Sequence, residues 1–233
     1  METTIAPVIF IVGQTGSGKT SLSIELAKKY GGEIICADSR TIYKHMYIGT
    51  AKPTAEEQGG VIHYGLDLIE PIEFYSAAQF KKYAEEKIEL IKNKQKIPFV
   101  VGGTGLYVDG VLYNFSFSDG LNMQIKDRLE KLDLAQLQNM ARELGISEED
   151  VSFKNPRHLS NAVARGRVIK EPRIKQGNHL ILGIDIDKET IDKRIEDRAD
   201  RMLSLGLVEE AESLIGKYGV DAPGFIAPAY RSF

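Results

Sequence analysis

Apolar and polar positions along this chain come in blocks with the rhythm of strand, turn and helix. Val8-Ile9-Phe10-Ile11-Val12 is a short, unbroken, largely β-branched run of the kind a strand covered on both faces requires, and it breaks at once into a glycine-rich turn. Leu22, Leu26 and Ala27 then return at helical spacing. A second run, Glu33-Ile34-Ile35-Cys36-Ala37, ends in the polar turn Asp38-Ser39-Arg40. A third, Pro98-Phe99-Val100-Val101, passes straight into Gly102-Gly103-Thr104-Gly105, and a fourth, His179 to Ile184, ends in Asp185 and Asp187. Between the second and third, Ala77, Phe80, Ala84, Ile88 and Ile91 recur every three or four residues within Ser76 to Lys94, predicting an amphipathic helix with Ser76 as its N-cap. Strands alternating with helices in this way predict an α/β fold built on a parallel sheet with helices on both faces. Ligands of such sheets bind at the carboxyl ends of the strands, so the turns at Gly13 to Thr20, at Asp38 and at Gly102 to Thr104 should line one crevice.

Residues Ser118 to Lys175 break this rhythm. Gln124 to Lys131 and Leu134 to Leu144 read as helices, the second stopping at Gly145, and no strand pattern appears. A short helical insertion at 118–175 is expected, interrupting a core made of 1–117 and 176–233. Its second half carries Arg157, His158, Arg165, Arg167, Lys170, Arg173 and Lys175, a run that reads as a solvated face or as a contact for nucleic acid.

The turn after the first strand is Gly13-Gln14-Thr15-Gly16-Ser17-Gly18-Lys19-Thr20, a P-loop framed by a strand and a helix. Backbone N–H groups of Gly13, Thr15, Gly16, Ser17 and Gly18, together with the positive helix end, converge where phosphate oxygens can sit. Lys19 is expected to neutralise those phosphates, and the Thr20 hydroxyl to ligate a magnesium ion bridging them. The motif leaves open which phosphate compound binds and what is done to it.

Composition narrows this only a little. At 233 residues the chain suits one α/β domain with a modest insertion, and 42% hydrophobic with 27% charged residues is ordinary for a water-soluble protein. A formal charge of −3 gives no global attraction for polyanions, so any nucleic acid must be held by a local patch. The single cysteine, Cys36, lies in an apolar run and is expected to be a small core residue. The sequence shows neither a long apolar span nor a secretory leader, so no membrane association and a cytoplasmic location are expected.

Three further groups could carry chemistry. Asp38 stands where a carboxylate would face the crevice, able to hold magnesium through water or to accept a proton from a nucleophile; a helix cap is the plain alternative. Thr104 offers a hydroxyl between glycines that obstruct nothing. From Asp187, a plausible N-cap, Ile191, Ile195 and Met202 share one helix face, while Arg194, Arg198 and Arg201 form an adjacent stripe that either makes surface ion pairs or sends one arginine to a leaving group's charge. His63 and Tyr64 could line a pocket or serve only the core.

Taken together, Gly13 to Thr20, Ala37-Asp38-Ser39, Ile42-Tyr43, Ile48-Gly49-Thr50-Ala51-Lys52-Pro53-Thr54, Ser76 to Phe80, Pro98 to Tyr107, and Arg194-Ile195 through Arg198, Met202-Leu203 and Gly206-Leu207 resemble the tRNA dimethylallyltransferase family in order and spacing. The resemblance implies a P-loop NTPase-like fold related to small-molecule kinases, in which the loop holds dimethylallyl diphosphate. It implies transfer of the prenyl group to the exocyclic amine of the adenine 3′ of the anticodon. Asp38 would orient that amine and take its proton, Arg194, or failing that Arg198, would stabilise the departing diphosphate, and Thr104 would help position the reactants. Ser39, Arg40 and Thr41, with Asp38, would touch the flipped nucleotide of the tRNA anticodon loop, and Arg157 would contact tRNA; Mg²⁺ is the expected cofactor and a monomer the expected state.

The chain also departs from the family pattern. After Asn155-Pro156-Arg157, His158, Asn161, Val163 and Ala164 stand where relatives carry further cations and an Arg-Ala-Leu-Glu string, and Pro223 to Phe233 reads as the start of a motif that continues in relatives. These departures predict weakened tRNA binding. They keep two other prenyl or phosphoryl chemistries open, an adenylate isopentenyltransferase and a P-loop small-molecule kinase, along with a non-catalytic paralogue.

Overall fold

A computed structural model describes residues 6–115, 129, 131–149, 151–165 and 177–231. The chain divides into two compact units, residues 1–115 with 173–233, and residues 116–172.

The first unit is a five-stranded parallel sheet, β1 (Val8–Gly13), β2 (Gly32–Cys36), β3 (His63–Tyr64), β4 (Ile97–Gly102) and β5 (His179–Ile184), in the order β3-β2-β4-β1-β5. Every pairing is parallel, with Phe10 beside Val100, Ile35 beside Val100 and Phe10 beside Ile181. The alternation of the strands sends Phe10, Ile35 and Val100 to one face, where they pack with Phe80, Ala84 and Ile88 of helix α3 (Ala77–Asn93) and with Tyr107 and Val111 of α4 (Gly105–Leu112). Ile9, Ile11, Ile34, Phe99 and Val101 point to the other face and meet Ile24 and Ala27 of α1 (Lys19–Tyr30). Both faces of the central strands β1, β2 and β4 are thus closed, which explains why their sequences are largely apolar rather than alternating. Helix α3 starts at Ser76 as its expected N-cap, which with Gln79 forms a reciprocal capping box.

A second core lies beyond the sheet. Helices α7 (Lys188–Ser204) and α8 (Leu207–Tyr218) bring Met202, Leu207, Ala211 and Leu214 against Ile42, Tyr43 and Met46 of the long segment after β2, and a 3₁₀ turn at Pro223–Ile226 completes the cluster with Phe225 and Tyr230. A four-residue helix, α2 (Ala55–Gln58), and the edge strand β3 complete this unit.

Within the second unit, α5 (Leu134–Glu143) and α6 (Pro156–Arg165) pack through Leu137, Ala141, Leu159, Ala162 and Val163. Helix α5 starts at an Asp133 capping box and gives way to Gly145 at φ 71°. Apart from Leu129 and Lys131, the helix expected at Gln124 to Lys131 lies outside the described residues, as do Arg167, Lys170, Arg173 and Lys175. Val163 is buried in this unit's core and Ala164, partly buried, packs against it, so two of the positions read as departures from the family pattern face the interior here. Among the described residues, no helix is long and apolar enough to cross a membrane.

Candidate active site

Three strand ends meet at one crevice of about 550 Å³ within the first unit. The P-loop contributes Thr15, Gly16, Gly18, Lys19 and Thr20, β2 contributes Cys36 and Asp38, and β4 contributes Val101 and Gly102. Two glycines make the loop possible. Gly16 and Gly18 hold φ of 81° and 88°, a region that side chains with a Cβ rarely adopt. Lys19 donates its Nζ hydrogens to the carbonyls of Gly13 (2.9 Å) and Gln14 (2.6 Å), so its charge is held at the loop's mouth. Burial lowers the Lys19 pKa, the Asp38 carboxylate opposes that, and the Arg198 guanidinium pushes it further down.

The Asp38 turn is fixed from two sides. Arg40 N–H donates to the Asp38 carboxylate at 2.8 Å, closing a local turn. The Thr104 hydroxyl accepts from Ser39 N–H at 3.0 Å and donates to the Ser39 hydroxyl at 3.3 Å, while Thr104 N–H donates to the Ala37 carbonyl at 3.2 Å. The β2 and β4 turns can lie this close because Gly102 has no side chain: a Cβ there would fall 2.0 Å from the Ala37 carbonyl oxygen. Thr104 therefore ties down Ser39 and Ala37 on either side of Asp38, while Thr41, 7% exposed, lines the crevice beside Asp38.

Helix α7, capped by Asp187 accepting from Thr190 N–H, supplies the opposite cations. Arg194, Arg198 and Arg201 all line the crevice. Arg194 donates to the Gly16 carbonyl at 3.1 Å and so braces the P-loop from outside. Arg198 is the more deeply set of the two; burial lowers its pKa and the Asp38 carboxylate raises it, which places it in the same electrostatic neighbourhood as Lys19 and Asp38. Arg201 lies 3.7 Å from Glu57 of α2. Ile195, expected on one face with Ile191 and Met202, is 44% exposed and lies beside Gly16 of the P-loop, whereas those two are buried.

Cys36 also differs from expectation. It is half-buried and forms part of the crevice lining, though it packs against the α1 side of the sheet. Burial, then the nearby Asp38 charge, pushes its thiol up to about 12, so it stays a protonated wall residue. His63 enters the crevice from β3, with Nδ1 2.8 Å from the Val61 carbonyl, and burial lowers its pKa.

The remaining wall was legible only as a string of letters. Thr50, Ala51 and Pro53 line the crevice, with Ala51 in a left-handed turn at φ 47° closed by its N–H to the Ile48 carbonyl. Lys52 of the same string points away: its Nζ donates to the Tyr43 carbonyl (2.5 Å) and to Asp67 (2.6 Å). Arg157 is exposed on α6 of the second unit.

Residues 41–233 match the family model described as IPP transferase, and residues 6–67 match that described as isopentenyl transferase. A tRNA dimethylallyltransferase of Acetivibrio thermocellus is 39% identical over 224 residues, covering 89% of this chain and 72% of that protein. One from Staphylococcus aureus is 38% identical over 226 residues, covering 89% and 73%. The crystal structure of a tRNA delta(2)-isopentenylpyrophosphate transferase from Staphylococcus epidermidis superposes with a TM-score of 0.70 at 37% identity, covering 97% of this chain and 78% of that one. A eukaryotic dimethylallyltransferase solved acting on tRNA gives a TM-score of 0.82 at 25% identity, covering 98% and 62%.

Proposed function

This chain belongs to the IPP transferase family of tRNA dimethylallyltransferases, and from that premise we propose that its P-loop crevice seats dimethylallyl diphosphate and passes the five-carbon group to the exocyclic amine of the tRNA adenine 3′ of the anticodon. The observation that carries the assignment is the convergence of Lys19, Asp38 and Arg198 on a single crevice from three different elements.

Each residue answers a need of that reaction. An adenine amine is weakly nucleophilic, and the Asp38 carboxylate can orient it and take its proton as the new C–N bond forms. The turn that Thr104 braces keeps this carboxylate pointed at the crevice. Departing diphosphate accumulates negative charge, which the P-loop N–H groups, Lys19 and an arginine of α7 spread over several donors. Arg198 lines the crevice with Lys19 and Asp38, coupled to both through charge, and suits that role, while Arg194 supports it by holding the loop at Gly16. Ser39, Arg40 and Thr41 then border the place where the extruded base enters, and Arg157 supplies a phosphate contact from the second unit.

Thr20 and Asp38 both line the crevice, and this small set of oxygen donors beside a phosphate site fits Mg²⁺, which keeps most of its waters and takes phosphate oxygens. When bound, the ion neutralises charge on the diphosphate. A monomeric, cytoplasmic protein acting without a membrane completes the reading.

An adenylate isopentenyltransferase draws support from the isopentenyl transferase match over residues 6–67, but the tRNA-family match extends over 41–233 and includes the second unit. Incubating the protein and magnesium with dimethylallyl diphosphate and either unmodified tRNA or AMP, followed by mass spectrometry of the nucleosides, separates them. The prenyl mass increment is expected on tRNA adenosine; an increment on AMP alone overturns the tRNA assignment.

A further inference from the structure

The crevice wall at Thr50, Ala51 and Pro53 belongs to no strand or helix, yet it lines the same cavity as Thr20 and Arg201 and extends into an adjoining groove beside Thr20 and Ser21. A turn of this kind, with Ala51 at positive φ, holds one shape only if its surroundings over-determine it. The second core does so through a single carboxylate. Glu210, in the first turn of α8, accepts from Tyr47 N–H at 3.0 Å, from Ile48 N–H at 3.0 Å and 3.1 Å, and from Gly49 N–H at 3.2 Å. The Tyr230 hydroxyl donates to the same carboxylate in a short bond and itself accepts from Gly49 N–H at 3.2 Å. Gly49 permits this closeness, since a Cβ there would fall 2.5 Å from the Tyr230 ring. Three consecutive backbone donors thus close on one side chain that is 161 to 163 residues away in sequence.

Successive N–H groups aimed at one point form an anion-binding nest, and here the anion is internal. Charge-assisted bonds to Glu210 fix the orientation of the 47–49 peptides and, one and two residues on, the placement of Thr50 and Ala51. Thr50 adds a bond from its hydroxyl to the Met46 carbonyl at 2.6 Å, so the turn is fixed at both ends. We propose that Glu210, with Tyr230 as its partner, is a positioning residue for prenyl-donor binding: it sets the wall facing the Thr20 end of the crevice without touching substrate. The proposal rests on the prenyltransferase reading for which substrate is affected, though the anchor itself is visible in the fold.

Steady-state prenyl transfer by Glu210→Ala, Glu210→Gln and Tyr230→Phe tests it, with magnesium-dependent binding of inorganic pyrophosphate measured by calorimetry on the same proteins. Glu210→Ala should raise the donor KM and the pyrophosphate Kd about tenfold, with kcat and the tRNA KM within about twofold. Glu210→Gln, which keeps one carbonyl acceptor, should recover part of the affinity, and Tyr230→Phe, which loses one hydroxyl, should cost least. A lowered Tm with unchanged donor KM and pyrophosphate Kd overturns the proposal, as does a loss confined to kcat. Wild-type protein that binds pyrophosphate but transfers no prenyl group to any acceptor would undo the functional reading, and the pyrophosphate series would still decide the anchor.

Discussion

Asp38 begins a turn in which the Ser39 N–H donates to the Thr104 hydroxyl and the Arg40 N–H to the Asp38 carboxylate, and the Asp38 side chain borders the crevice with Lys19 and Arg198 as its charged neighbours. Replacing Asp38 with Asn preserves volume and removes the proposed proton acceptor. Prenyl transfer should fall about 10²- to 10⁴-fold in kcat with little change in the donor KM, as single-turnover and steady-state assays would show. Glu33 is the opposite case, a carboxylate used for stability. It is buried at the start of β2 and accepts from Lys96 (2.7 Å), Lys94 (2.9 Å) and Tyr64 (2.8 Å). Burial pushes its pKa up, but the bonds from Lys96, Lys94 and Tyr64 win and hold it below the ordinary carboxylate value. A carboxyl with a depressed folded pKa stabilises the fold above its unfolded value, about 4.3, and that contribution disappears as pH falls through the folded value. Thermal melts of wild type and Glu33→Gln should therefore differ most at neutral pH and converge in acid. Neither the Thr104 bond to the Asp38 turn nor the Glu33 lysines could be paired from sequence, because both depend on which strands become neighbours.

At the scale of elements, the pattern of residues foretold most of what is local and little of what is joined. Strands β1, β2, β4 and β5 were legible because each is a continuous apolar run, and α3 because Phe80, Ala84, Ile88 and Ile91 share one stripe ending at a capping box. Strand β3 escaped, since two residues at a sheet edge carry no period. The 47–52 turn escaped because its shape comes from Glu210 and Lys52 reaching distant partners rather than from its own propensities. The convergence of three strand-end turns followed from parallel-sheet geometry, but their spacing depends on Gly102. Gly102→Ala should drive apart the β2 and β4 turns, since a Cβ 2.0 Å from a carbonyl oxygen cannot be accommodated without backbone movement. A stability loss of about 1–3 kcal/mol is expected from urea titration, along with impaired transfer.

For the molecule as a whole, the proposed site residues divide between the two units. The first holds the crevice residues, and the second offers Arg157 on an exposed surface of α6. Arg157→Ala should weaken tRNA binding and reduce its log–log salt slope by about one, while leaving the donor KM unchanged. Filter binding across a salt series would measure this. The buried ammonium of Lys52 bears on the molecule in another way. Its side chain is 3% exposed and tucked between Tyr43 and Asp67, and burial lowers its pKa despite that carboxylate. Acylating reagents capture amines only when these reach solvent and shed a proton, so Lys52 should be spared in the native protein while lysines such as Lys44 on the surface are modified. The slow appearance of label on Lys52 would then be a chemical clock for the opening of the turn that walls the crevice, readable in a tryptic digest without any substrate or substitution.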